Sequence, residues 1–139
     1  MERRAAAAAF IRERTSAIMP RVIADDIAGD ASSVDPARTR RLLTEYLERR
    51  VPLWLEALAA SDEQRDEAIA RLLSIDEKAG VDVPPVVVLG TVAIGYRVME
   101  QELRAHAPAS ADELWGEVDA LRRRVIAKRQ SRTDRGEVA

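Results

Sequence analysis

Glu102 and His106, four residues apart in a stretch of helical spacing, could present two ligands to one metal ion. His106 is the only histidine, so it is also the only imidazole that could hold a haem iron. No further ligand follows at a metal-site spacing. The absence of cysteine excludes disulfides, iron–sulfur clusters and thiol chemistry. Carboxylate pairs that could divide general acid and base work occur at Glu45/Glu48, Asp62/Asp66 and Glu113/Glu117. Each lies among other charges with arginines nearby, the pattern of a solvated helix face rather than a desolvated reaction centre. No Ser–His–Asp set, P-loop or GxGxxG in strand–helix context is present. The expectation is therefore no catalytic residue, no metal site and no cofactor, with haem or a metal at His106 as the weaker alternative.

Gly95-Tyr96 asks for a different account. A glycine inside a helix costs about 1 kcal/mol relative to alanine. Close approach of a second helix is the favoured reason for it. The functional alternative is a small apolar pocket at Gly95, bounded by Tyr96 with Trp54 and Trp115, whose rings join an apolar body to one polar handle.

Charge is distributed unevenly. The net charge of −2 comes from 22 basic and 24 acidic residues, but seven of the basic groups fall within residues 121–135. Arg122, Arg123, Arg124, Lys128 and Arg129 form the dense part of this block, with Arg132 and Arg135 beyond. Its partner must be anionic: a nucleic acid, an acidic protein face, or the acidic body of the chain itself. No aromatic residues are interleaved and no recognition helix precedes it, so specific nucleic-acid binding is not expected.

These residues need a scaffold, and the composition allows one kind. The 139 residues are 47% hydrophobic but only 4% aromatic, so the core must be aliphatic. The 24 Ala and six Gly favour helix over a turn-rich β architecture. With 20 Arg against 2 Lys, the composition points to a GC-rich bacterial genome. The first helix spans about Glu2 to Asp30, with Pro20 kinking or breaking it. The second starts at Asp35-Pro36, an N-cap followed by the preferred first helical residue, and carries Pro52. Ser61-Asp62-Glu63-Gln64 is a capping box for the third, which Gly80 ends. Val86 to Ile94 could be a buried strand, but Val98, Met99, Glu102 and Leu103 continue a 3–4 spacing. A helix from Pro85 to about His106 is preferred. Ser110 to Glu113 caps the fifth helix, whose Leu114, Val118, Leu121 and Val125 form a short heptad-like seam. The expected fold is an all-α single helical bundle, or a globin-like domain, of about five helices with proline kinks. The helical domain occupies 1–128, and 129–139 form a disordered basic tail. The apolar run Ala5 to Ile11 is too short for a secretory signal and no stretch is long enough to cross a membrane, so a cytoplasmic location is expected.

Leu53-Trp54-Leu55-Glu56-Ala57-Leu58, the acidic Ser61 to Gln64 turn, and Gly80-Val81 leading into the apolar run Val86 to Tyr96 resemble a known regulatory module. It is the N-terminal helical sensor domain of RsbRD-type stressosome co-antagonists and of PucR-like bacterial regulators. The resemblance covers roughly residues 36–106 and brings no catalytic residues with it. It implies a non-catalytic domain that passes a signal through protein–protein association. The association expected is a homodimer through the seam, or an output protein acting in trans. A small-molecule sensor with an internal pocket is the alternative.

Overall fold

The computed structural model describes residues 2–29, 35–80, 83 and 85–134. Five helices make up nearly all of them: α1 (Glu2–Gly29), α2 (Pro36–Ala59), α3 (Asp62–Ala79), α4 (Pro85–His106) and α5 (Ala111–Asp134). The protein is an all-α single bundle, with no strand among the described residues. Asp30, Val81, Pro84 and Arg135, which enter the boundaries, motifs and charge block read from the sequence, lie outside the described residues.

Local chemistry sets the ends. The Asp35 carboxylate accepts the Arg38 backbone N–H at 3.1 Å, and Pro36 opens α2 where a missing N–H costs nothing. Ser61 Oγ accepts the Gln64 N–H at 3.4 Å, with Asp62 and Glu63 on the positive end of α3. Arg65 closes the other side of this corner. Its Nε and Nη2 donate to the Ala57 and Leu58 carbonyls at 3.1 and 2.9 Å, satisfying the C-terminal end of α2. The β-branched run after Pro85 is helical, because the apolar spacing from Val88 to Leu103 buries a single stripe against the bundle.

Pro20 and Pro52 lie inside helices that continue through them. Both prolines are exposed, and so are Ser16 and Glu48, whose carbonyls lose their bonds. Water can serve those carbonyls, so neither helix is broken. The end expected at residue 128 is also displaced. Helix α5 runs to Asp134 because Arg129 and Arg132 reach back to Asp76 and Glu77, at 2.8 and 2.7 Å. Only 135–139 of the expected tail fall outside the described residues.

Helix α1 packs on α2, α4 and α5. Ala7 and Ala8 of its alanine run are fully buried, small enough for neighbouring helices to close over them. Leu43, Leu58, Ile69, Leu72, Leu103 and Leu121 are wholly enclosed, so the core is aliphatic. Leu114, Val118, Leu121 and Val125 are buried in this same core. That corrects the expected dimer seam. Helices α1 to α4 all contact α5, and they cover its apolar stripe within one chain. Across the α1/α4 interface, Arg14 and Arg21 of α1 grip the buried carboxylate of Glu102 at 2.7 and 3.0 Å.

Candidate functional site

Two of the buried charges stand on apolar stripes that face each other. In α2 the buried residues Leu43, Tyr46, Leu47, Arg50 and Trp54 follow one another at helical spacing, and Arg50 is the charge among them. In α3 the corresponding series is Ala68, Ile69, Leu72, Leu73 and Asp76. The fold brings Arg50 and Asp76 together inside the bundle. Arg50 Nε donates to Asp76 Oδ1 at 3.0 Å, and the Tyr46 hydroxyl donates to the same oxygen at 2.6 Å. Arg129 Nη2, from α5, donates to Asp76 Oδ2 at 2.8 Å.

One carboxylate thus serves two guanidinium groups and a phenol, and the cluster keeps a positive surplus. Arg50 is only 7% exposed, and its Nη2 is buried with no hydrogen-bond partner. Leaving such a donor unsatisfied costs about 1–3 kcal/mol. Burial works against the Arg50 charge, but Asp76, Tyr46 and Tyr96 outweigh it and raise the guanidinium's pKa further. Burial likewise pushes the Tyr46 phenol far above its ordinary value, opposed by Arg50 and reinforced by Asp76.

Arg50 also lines a cleft of about 60 Å³ between α1, α2 and α4. The lining includes Ile18, Met19, Val22, Val51 and Val92, together with the polar residues Thr15, Thr91 and Tyr96. Trp54 and Tyr96 close one side. Their rings meet edge to face at 6.0 Å, and Trp54 Nε1 donates to the Tyr96 oxygen at 3.1 Å. That bond uses the Tyr96 oxygen as acceptor and leaves its proton for another group. Burial raises the Tyr96 pKa, opposed by Arg50 and by the Trp54 hydrogen bond.

Of the four pocket residues expected from sequence, Trp54, Gly95 and Tyr96 line this cleft and Trp115 does not. Trp115 belongs to α5, and the lining comes only from α1, α2 and α4. The close helix approach favoured for Gly95 is not found: a Cβ placed there would meet nothing within 4 Å. Arg50, Thr91 and Met99 were missed. The signal for Arg50 was present as a charge in register with a buried stripe.

The basic block is spent on the chain's own acids. Arg122 and Arg123 pair with Asp119, and Arg124 and Lys128 with Asp66. Arg129 is held by Asp76. The body of the protein, one of the alternatives left open by the sequence, is therefore the partner of this patch. Its hydrogen bond from Arg124, against a small burial cost and with help from Lys128, lowers the Asp66 pKa. Arg122 additionally lies over the Tyr96 ring, its Cζ 5.5 Å from the centroid.

His106 Nε2 is 3.4 Å from Glu102 Oε2, but that carboxylate is already engaged by Arg14 and Arg21. Burial acts to raise the Glu102 pKa, and the hydrogen bond and charge of Arg14 overcome it and hold it low. Among the described residues no group of three His, Cys, Asp or Glu could hold a metal ion. Asp62 and Glu117 have Arg4 within ion-pair distance, Glu113 has Arg3, and Glu45 and Glu48 are exposed. The acid pairs therefore occupy charged or solvated surfaces. Compared with family models, curated proteins and solved structures, the chain matches none.

Two outcomes follow from this geometry. Gly95→Ala is expected to stabilise the fold by about 1 kcal/mol, since it gains helix propensity in open space. Chemical denaturation would show it as a higher midpoint with unchanged slope. The chain's two tyrosines are Tyr46 and Tyr96, and both are raised from the ordinary value of 10.0. A group raised on folding contributes stability that is complete below its unfolded pKa and is lost as pH climbs toward the folded one. Phenolate absorbance should therefore show no step near pH 10. It should appear later, together with loss of helical circular dichroism.

Proposed function

We propose that this chain is a non-catalytic sensor domain, and that a small ligand in the α1–α2–α4 cleft is its input. The observation that carries this reading is the joining of an apolar cleft to an unsatisfied buried Arg50 nitrogen. The cleft is lined by Gly95 and by the Trp54–Tyr96 pair, and Tyr96 keeps a phenolic proton that the Trp54 bond does not use. The resemblance to stressosome co-antagonist sensor domains agrees with the reading, as does the lack of a nucleophile–base–orienter set among the described residues. A bacterial, cytoplasmic regulatory role, with an output protein acting in trans, belongs to the same proposal.

The cleft shares a wall with a second space. Val92 and Tyr96 also line a groove of about 250 Å³ between α4 and α5, with Leu89, Ala93, Val125 and Ile126. Movement of these two side chains when the cleft fills would alter the groove. Among the described residues, Leu89 and Ile126 are the large hydrophobic residues left exposed, at 47% and 54%. They favour association at this groove as a second reading, in place of the buried α5 seam.

Native mass spectrometry of the purified chain, with a thermal-shift screen of small metabolites, tests the first reading. A ligand that binds only the native state raises the midpoint with its concentration. A screen in which no compound does so, or in which Gly95→Leu leaves every response unchanged, would remove the sensor reading. For the second, sedimentation at rising concentration should show a mass above one chain that Ile126→Glu returns to one chain. A single-chain mass for the unaltered protein would count against self-association there.

A further inference from the structure

We infer that the cleft binds a short-chain monocarboxylate, with its carboxylate on the free edge of Arg50 and its hydrocarbon end among the methionines of α1 and α4. This rests on the ligand-sensor reading and names the class of ligand.

The head group follows from charge and donor count. Arg50 is more than nine-tenths buried, and the carboxylate facing it, Asp76, is shared with Arg129. Arg50, Arg129 and Asp76 thus sum to one positive charge, with Arg129 the partly exposed member. Arg50 Nη2 has no acceptor. The Tyr96 hydroxyl accepts from Trp54 and has its own proton to give. Arg50 and Tyr96 both belong to the cleft lining, so one donor from each, with Nη2 turned toward the space, would match the two oxygens of a planar carboxylate, and a guanidinium edge is suited to that shape. Inorganic phosphate would bring four oxygens and more charge to a wall that is otherwise apolar.

Size and lining define the remainder. An apolar cavity of about 150 Å³ takes up benzene. A cleft of about 60 Å³ therefore has room for a carboxylate and one or two carbons. Ile18, Met19, Val92 and Met99 supply the apolar surface for them. The two methionines are unbranched and can shift to admit a slightly longer chain.

The experiment uses the full chain carrying Trp115→Phe, which leaves Trp54 as the only indole; Trp115 takes no part in the lining. Sodium propionate, neutral propionamide, 1-propanol and sodium chloride are titrated at matched ionic strength. Trp54 emission and the thermal midpoint are followed. Propionate is expected to give a saturable change in both, with at least tenfold weaker binding for propionamide and no saturable response to chloride. Gly95→Leu, which fills the cleft without touching the Arg50–Asp76 contact, should weaken propionate at least tenfold while circular dichroism remains helical. Arg50→Lys keeps a charge but loses the planar edge and should also weaken it.

Equal binding of propionate and propionamide would overturn the carboxylate assignment while leaving a ligand cleft. A response to 1-propanol alone would do the same. Propionate binding that Gly95→Leu leaves unchanged would place the site elsewhere and overturn the inference. Absence of any saturable response to the organic probes would sink both the carboxylate and the cleft as a binding site for molecules of this size.

Discussion

The bundle is organised around one carboxylate. Asp76 is buried where α2, α3 and α5 meet, and its two oxygens take bonds from Arg50, Tyr46 and Arg129. Removing Asp76 would leave two guanidinium groups facing each other in a poorly solvated interior, a change of the kind that costs several kcal/mol. The same bonds set the orientation of Arg50, which is fastened through Nε and so has Nη2 left over. They also explain why α5 extends beyond its apolar stripe, since Arg129 is the third contributor to the cluster.

The cleft lies beside that cluster. Arg50, paired with Asp76, forms part of its lining, and Gly95 on the facing helix leaves the space open. Tyr96 then separates two environments. One side of it belongs to the cleft with Trp54, and the ring carries Arg122 in the groove between α4 and α5. Three guanidinium groups, Arg50, Arg122 and Arg129, bear on this one phenol. Coupling between the two spaces would need no rearrangement of the helices, only a change in the rotamers of Val92 and Tyr96.

Surface charge in this protein serves the fold. The excess of basic groups after residue 120 could have been directed at an external polyanion. Arg124, Lys128, Arg129 and Arg132 instead meet Asp66, Asp76 and Glu77 along α3. Individually the exposed pairs contribute little. As a row they align α5 on α3 and bring Val118, Leu121 and Val125 into the core. A stripe read as an interface between copies is thereby used up inside one.

Local features were legible because their physics is local. Asp35-Pro36 and Ser61 to Gln64 cap helices through residues three positions apart, and the stripes of α2 to α5 repeat within one turn. These determine the helices, their order and the aliphatic core, and they select helix over strand for Val86 to Ile94. The partner of a buried charge is another matter. Arg50 meets Asp76 across 26 positions and Arg129 meets it across 53, and no short-range spacing encodes such a meeting. Whether Gly95 faces a neighbouring helix or an empty space likewise depends on how α1, α2 and α4 are set against one another. Sequence alone therefore determined that five amphipathic helices must collapse together. Only the tertiary structure decided which charges share the interior, because electrostatic pairing depends on distance in space and not on distance along the chain.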